Sequence, residues 1–137
     1  MNRTKTFIAD DTQEILEVIK IAFGEDPKFD FKYFNGGHFL EELHEDLDLI
    51  VVDVHMPHFD IVEAVSTIKH ISKKAYIIVL SADRRFDTMK QLANLQIFWY
   101  CEKGGNFLTE LKEAMDAAHV KVMVRKDLLR KFDDSGC

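Results

Sequence analysis

The chain has 137 residues, which suffices for one domain with a single core but not for a second domain. Its 18 basic and 24 acidic residues give a net charge of −6, so we expect no general attraction to nucleic acid or to an anionic membrane. No uninterrupted apolar window reaches the length of a membrane span. Two cysteines, Cys101 and Cys137, are too few for the disulfide framework of a small secreted domain, and the cytoplasm is the expected location.

Apolar runs alternate with helical patterns along the chain, which predicts five β–α units. The predicted elements are a strand at 5–11, a helix at 13–23, a half-exposed edge strand at 29–33, a short helix at 38–45, a strand at 47–53, a helix at 60–71, a strand at 75–81, a helix at 86–94, a strand at 97–101 and a helix from 106. We therefore expect an α/β fold of the flavodoxin-like type. Its doubly wound, five-stranded parallel sheet should have the order 2-1-3-4-5 and five flanking helices.

Apolar side chains at helical spacing predict which faces of the helices are buried. The predicted inner positions are Ile15, Leu16, Val18, Ile19 and Ala22 in the first helix and Ile61, Val62, Val65 and Ile68 in the helix at 60–71. On the strand at 97–101, Trp99 and Tyr100 point to opposite sides, and core packing is the expected environment of Trp99.

The last predicted helix is longer than the domain requires. Along it runs a heptad-like seam whose members, all apolar except Arg125, step by three and four residues in turn: Leu108, Leu111, Met115, Ala118, Val122, Arg125, Leu129 and Phe132. We assign 1–118 to the domain and 119–137 to a helical extension for signalling or dimerisation, which ends in a frayed tail. The basic residues of the extension alternate with acidic and apolar ones, so a solvated face is favoured over direct binding of nucleic acid.

Polar residues stand at the ends of four predicted strands. Asp10 and Asp11 close the first strand, Asp53 the third, Ser81 the fourth, and Lys103 follows the fifth. The carboxyl ends of parallel strands meet at one edge of the sheet, so these side chains should converge there. Three adjacent carboxylates repel one another unless a cation neutralises them, and hard oxygen ligands favour Mg²⁺ over zinc. A carboxylate there can also act as a nucleophile toward phosphorus.

In this order and spacing the residues resemble the response regulator receiver domains of two-component signalling, of the chemotaxis-regulator type, over about residues 4 to 118. The acidic pair of that family falls on Asp10 and Asp11, and its phosphoacceptor on Asp53 within DVHMPHFD. Its hydroxyl residue falls on Ser81, which is followed by a small residue, and its lysine on Lys103.

The resemblance implies a role for each of these residues. Asp53 would accept a phosphoryl group from a histidine kinase or a histidine phosphotransfer protein. The expected Mg²⁺ ligands are Asp11, Asp53, the main-chain carbonyl of His55, and Asp10 acting through water. The remaining expected roles are a phosphate contact for Lys103, a hydrogen bond to the phosphoryl group for Ser81, a switch aromatic for Tyr100, and an influence on acyl phosphate hydrolysis for His55 and Asp83.

The resemblance also bears on activity and partners. Such a domain catalyses only its own phosphorylation and dephosphorylation, so we expect a signalling domain and not an enzyme with a separate substrate. Phosphorylation would change the surface of the fourth helix, the fifth strand and the fifth helix. That surface and the C-terminal helix would also serve a homodimer.

Two positions depart from the pattern of the family, and two alternatives stay open. Gly104 stands where the family usually has a cis-proline, and a cis peptide without proline costs about 3 kcal/mol, so both the isomer of the Lys103–Gly104 bond and the direction of Lys103 stay open. Ile61 stands where the family commonly has glycine. The alternatives are a pseudo-receiver that binds proteins without being phosphorylated, and a Mg²⁺-dependent phosphatase of the haloacid dehalogenase type. In that phosphatase family the nucleophile lies on the first strand, with a second Asp two residues later; here His55 holds the second position.

Overall fold

The computed structural model describes residues 3–82 and 86–135 and contains the predicted doubly wound, flavodoxin-like arrangement. A parallel sheet of five strands has the order β2-β1-β3-β4-β5, as the sequence predicts. The elements are β1 Thr4–Ala9, α1 Gln13–Phe23, β2 Phe29–Phe34, a 3₁₀ helix Gly37–Glu42, β3 Leu49–Asp53, α2 Ile61–Ile71, β4 Tyr76–Ser81, α3 Phe86–Ala93, β5 Trp99–Glu102 and α4 Phe107–Ser135.

Burial follows the position of each strand in the sheet. All five residues of β3 are buried because strands cover both of its edges and helices both of its faces. The edge strand β2 is buried only at its two end residues, Phe29 and Phe34. The residues between them are exposed or half-buried, which confirms the predicted half-exposed strand. The strand β5 forms the other edge, yet Cys101 on it is fully buried among residues of α4.

Alternating side chains of the strands divide the core into two layers. On one face of the sheet Phe7, Ile50 and Val52 pack with α2, and on the other face Ile8, Leu49 and Val51 pack with α1 and α4. The limits of the α-helices agree with the predicted ones to within two residues at each end that was predicted.

Three inner positions of the helices differ from the prediction. In α1 the predicted residues Val18 and Ala22 are exposed, and Phe23 is buried instead. In α2, Val62 is 38 % exposed, whereas Ala64 is buried. Each predicted stripe was wider than the contact line of a helix on a sheet, so the apolar residues at its border face the solvent.

The short helix predicted at 38–45 is a 3₁₀ helix of six residues that ends at Glu42. Leu43 already has an extended backbone. The segment buries Phe39 completely, and two tight turns place that ring in the core without the length that an α-helix needs.

Helix α4 runs without interruption for 29 residues. The predicted heptad-like seam is its inner face: Leu111, Met115, Ala118 and Val122 are buried against the sheet. The part of the seam from Leu111 to Val122 is therefore buried in the domain and is not available to a second helix. No helix in the ranges 3–82 and 86–135 is long and apolar enough to cross a membrane.

A buried carboxylate fixes the lower part of α4 to the sheet. Asp48, directly before β3, is fully buried. Its Oδ1 lies 3.2 Å from Nη2 of Arg125, and its Oδ2 lies 3.2 Å from Nζ of Lys126. The main-chain N–H of Lys5 also donates to Oδ2 at 2.9 Å, and Nη1 of Arg125 donates to the carbonyl of Lys74 at 2.8 Å. We call these contacts the Asp48 clamp.

Candidate functional site

The polar residues predicted at the strand ends do converge at the carboxyl edge of the sheet. Carboxylate oxygens of Asp10, Asp11 and Asp53 all lie within 4.8 Å of one another. Asp10 is fully buried and Asp53 is 3 % exposed, whereas Asp11 is exposed to solvent. The strand register explains the convergence, because β1 and β3 are neighbours and end at the same level.

Lys103 follows the edge strand β5, and its ammonium group reaches the same cluster. Its Nζ lies 2.7 Å from Oδ2 of Asp10 and 3.2 Å from Oδ1 of Asp53. The main-chain N–H of Lys103 donates to the carbonyl of Ser81 at 2.8 Å, which ties the loop to the end of β4. The Lys103–Gly104 peptide is trans, and the lysine points at the carboxylates.

Local hydrogen bonds orient the two buried carboxylates. Oδ1 of Asp10 accepts the main-chain N–H of Thr12 at 2.8 Å, and Oδ1 of Asp53 accepts that of His55 at 3.3 Å. Thr12 holds the N-cap position of α1, but its side chain makes no cap hydrogen bond within the described part of the chain. Asp10 therefore supplies the side-chain hydrogen bond to the start of this helix.

Burial and charge shift the ionisation of this cluster. Burial, and then the charge of Asp10, raise the pKa of Asp53 to about 7, while Lys103 and the N–H of His55 act in the opposite direction. Burial lowers the pKa of Lys103, but Asp10 and Asp53 outweigh burial and hold that pKa above its ordinary value. The site therefore keeps its lysine charged and has an excess of carboxylate.

This donor set fits a magnesium ion. Three carboxylates within 4.8 Å of one another offer the hard oxygen ligands that Mg²⁺ prefers, and two of them are buried. The raised pKa of Asp53 indicates that Lys103 does not fully offset the burial of this carboxylate and the negative charge of Asp10. Asp10, Asp11 and Asp53 could hold the ion together with the main-chain carbonyl of His55.

The remaining predicted residues lie around the cluster. Ser81 is fully buried at the end of β4, one residue after Leu80, which is paired with Asp53 in the sheet. The side chain of His55 is exposed, as expected for a loop histidine. Tyr100 on β5 is half-buried and packs against the core layer of α2. Asp83 lies outside the described residues.

Trp99 differs from the expectation. It is 49 % exposed, and its Nε1–H donates to Oε1 of Glu110 at 3.2 Å, so it is not packed in the core. Its strand is the edge of the sheet, and no further strand covers this end within residues 3–82 and 86–135. The alternation of Trp99 and Tyr100 indicated their opposite directions, but it did not indicate that one of the two directions leads to solvent.

Comparison with known proteins decides the family. The model of the response regulator receiver domain matches residues 6–123. The chain belongs to the response regulator receiver domain family. A receiver domain of this family is a signalling domain of two-component systems and not a classical enzyme.

Solved structures share the fold of this receiver domain at low sequence identity. The signal receiver domain of a putative Luxo repressor protein from Vibrio parahaemolyticus has a TM-score of 0.76 and 18% identity, with 93% of this chain and 97% of that one covered. A response regulator receiver domain protein from Clostridium thermocellum has a TM-score of 0.71 and 21% identity, with 92% and 98% covered. RcsB from Salmonella enterica serovar Typhimurium, bound to the promoter rprA in the presence of the phosphomimetic BeF3-, has a TM-score of 0.71 and 23% identity, with 83% and 67% covered.

Replacing Asp53 by Asn should stabilise the receiver domain when no divalent cation is present. The change removes one of the repelling buried carboxylates, so the free energy of unfolding should rise by about 2 kcal/mol at neutral pH. Because the pKa of Asp53 is higher in the folded than in the unfolded chain, the gain should grow as pH rises from about 4 to 7 and stay constant above that. Urea unfolding of both proteins at several pH values measures this gain in the free energy of unfolding.

Magnesium provides the matched comparison for this prediction. Millimolar Mg²⁺ should raise the melting temperature of the parent protein and have a much smaller effect on Asp53→Asn, because one carboxylate ligand is missing. Equal shifts in both proteins would contradict a metal site that includes Asp53.

Proposed function

We propose that this receiver domain accepts a phosphoryl group on Asp53, in a Mg²⁺-dependent reaction, from a histidine kinase or a histidine phosphotransfer protein. The observation that carries the proposal is the contact of Lys103 with both Asp10 and Asp53 beside the exposed Asp11. Nucleophile, metal ligands and a cation for the phosphoryl oxygens thus share one edge of the sheet.

The reaction itself needs little from the protein beyond position and charge. A carboxylate oxygen of Asp53 attacks the phosphorus of a phosphohistidine on the donor, and the phosphorus–nitrogen bond breaks. The electron pair of that bond returns to the imidazole nitrogen, which takes up a proton, and the product is an acyl phosphate on Asp53. Bound Mg²⁺ supplies positive charge for the phosphoryl oxygens.

Lys103 and Ser81 would act on the product. The ammonium of Lys103 is already directed at the carboxylate of Asp53, so a phosphoryl oxygen attached there falls within its reach. The hydroxyl of Ser81 would donate to a second phosphoryl oxygen. Movement of Ser81 would leave space for the half-buried ring of Tyr100 to turn inward, which would change the surface formed by α3, β5 and α4.

Phosphorylation by a small donor tests the proposal directly. The chain is incubated with Mg²⁺ and acetyl phosphate, and intact-protein mass spectrometry measures the added phosphoryl group. The parent should be labelled, whereas Asp53→Asn and the parent in the presence of a metal chelator should not be. Asp60→Asn is the matched control, because Asp60 is exposed and caps α2, a role that Asn fills equally well.

Two outcomes would contradict this assignment. Equal labelling of the parent and Asp53→Asn would place the phosphoacceptor elsewhere. Absence of labelling in both the parent and Asp60→Asn would favour the pseudo-receiver alternative, in which the domain binds its partners without phosphate.

A further inference from the structure

The end of α4 combines exposed apolar side chains with an excess of basic ones. Residues 120–132 contain five basic residues and one acidic residue, although the whole chain has a net charge of −6. The exposed apolar side chains of this segment are Val120, Val124, Leu128, Leu129 and Phe132. A helix that carries both kinds of side chain on its surface is typical of contact with an anionic membrane.

We propose that residues 120–132, which we call the basic segment, bind the surface of a bilayer that contains anionic phospholipids. The helix lies along the surface, with its apolar side chains among the lipids and its basic side chains at the phosphate groups. Binding does not require phosphorylation, so the proposal is independent of the phosphoacceptor role of Asp53. The net charge of the whole chain predicted no general attraction to such a membrane, because net charge does not show where the charges lie.

The apolar side chains of the basic segment form one face of the helix. At 100° per residue, Val124, Leu128 and Phe132 follow one another at intervals of about 40°. Lys131 and Arg125 lie about 20° beyond the two borders of this face. Lysine and arginine at such borders can keep their apolar stems on the lipid while their charges reach the phosphate groups. The arrangement thus suits a helix that lies flat on a membrane.

Ion pairs within the chain do not neutralise the basic segment. Two carboxylates each contact two of its basic side chains: Asp48 contacts Arg125 and Lys126, and Asp127 contacts Arg130 and Lys131. Each carboxylate offsets only one positive charge, so these pairs leave two positive charges in excess. Asp48 is also fully buried, whereas the four basic side chains are between 25 % and 72 % exposed. The surface of the segment is therefore positive.

Trp99 extends the apolar face toward the beginning of α4. Its indole is half exposed and donates to Glu110, which lies on the same side of the helix as Leu128 because 18 residues make about five turns. Tryptophan is a favoured residue at the boundary between lipid and water, because it has an apolar ring and a polar N–H. Trp99 is the single tryptophan of the chain, so its fluorescence can report contact with lipid.

The exposed apolar side chains distinguish a membrane from the other partners of a basic helix. The phosphates of a nucleic acid would contact the basic residues but would leave Leu128 and Phe132 in water. A bilayer removes these apolar side chains from water as well. An acidic protein surface is the remaining alternative, and failure to bind lipid would favour it.

The length of the basic segment predicts weak and reversible binding. It makes fewer than about four turns, so the apolar face alone buries little surface in the lipid. The basic residues add an attraction to anionic headgroups that weakens as the ionic strength rises. We therefore expect binding only when the vesicles contain anionic lipid, and loss of binding at high salt.

Sedimentation of the whole chain with vesicles tests the proposal. Vesicles of phosphatidylcholine and phosphatidylglycerol in equal parts should bind the parent about tenfold more tightly than vesicles of phosphatidylcholine alone. The fluorescence of Trp99 should shift to shorter wavelength with the same dependence on lipid concentration, because the indole enters a less polar environment. Absence of binding, or equal binding to both kinds of vesicle, would overturn the proposal.

Two substitutions separate the apolar contribution from the charge. Leu128→Ser removes an exposed apolar side chain without a change of charge, and Lys131→Gln removes one positive charge; each should weaken binding to the anionic vesicles severalfold. Ile21→Ser and Lys20→Gln are the matched controls, because both side chains are exposed on α1, and neither should change binding. If Leu128→Ser bound as tightly as the parent, charge alone would account for binding and the proposed contact of the apolar face would be wrong.

Discussion

Replacing Lys103 by Met lowers the free energy of unfolding of the Mg²⁺-free receiver domain by about 3 kcal/mol in our expectation. The ammonium of Lys103 contacts both Asp10 and Asp53, and its removal leaves these buried carboxylates with less positive charge beside them. Removing one partner of a buried ion pair costs more than the pair itself contributes, because the remaining charge keeps its desolvation cost. Urea unfolding in the presence of a chelator measures the change.

Two comparisons make this test specific. Lys103→Arg keeps the charge and should lose much less stability. Millimolar Mg²⁺ should restore a larger part of the stability in Lys103→Met than it adds to the parent, because the ion replaces the missing positive charge. If Lys103→Met were as stable as the parent in the chelator, the close contacts of the lysine would not be an important part of the electrostatics of the pocket.

The second large effect concerns the opposite end of the sheet. Asp48→Ala should lower the free energy of unfolding by about 3 kcal/mol, because a buried carboxylate and its hydrogen bond from the N–H of Lys5 are lost. Arg125 and Lys126 lose their partner at the same time. We expect the loss to be concentrated in α4, with faster amide hydrogen exchange after residue 125 and less change in the strands.

Asp46→Ala is the matched control for the clamp. Asp46 precedes Asp48 by two residues, but its side chain is 66% exposed and lies 4.0 Å from Lys74. Its removal should change the stability by less than about 0.5 kcal/mol. Similar exchange rates in α4 of the parent and Asp48→Ala would show that the packing of the inner face, and not the clamp, holds the extension in place.

Much of the fold could be predicted because its signals are local. The strand β3 is a continuous apolar run, and α1 and α2 repeat apolar residues at helical spacing, so their types were predicted correctly and their limits to within two residues. The short helix predicted at 38–45 is present, but its 3₁₀ type and its end at Glu42 were not predicted, because six residues around one buried phenylalanine carry no periodic signal. The helical period of the apolar residues also does not determine how wide the buried face is. For that reason Val62 was predicted to be buried and Ala64 was not.

The candidate site was predictable to a similar degree. The positions of the predicted strand ends alone indicated that Asp10, Asp53 and Lys103 meet, because all strands of a parallel sheet share one carboxyl edge. The Asp48 clamp was not foreseen, because Asp48 and Arg125 are 77 residues apart and neither belongs to a recurring motif. Their contact depends on where α4 crosses the base of the sheet, which only the packed structure determines.

Because α4 is one continuous helix, the Asp48 clamp holds it at a single point along its length. At 1.5 Å per residue the 29 residues of the helix span about 44 Å. The clamp at Arg125 and Lys126 divides this length into an arm of roughly 28 Å toward the carboxyl edge and one of roughly 15 Å beyond the base. Asp48 would therefore be the fulcrum of a tilt of this helix: a movement of its beginning would move its far end about half as far, in the opposite direction.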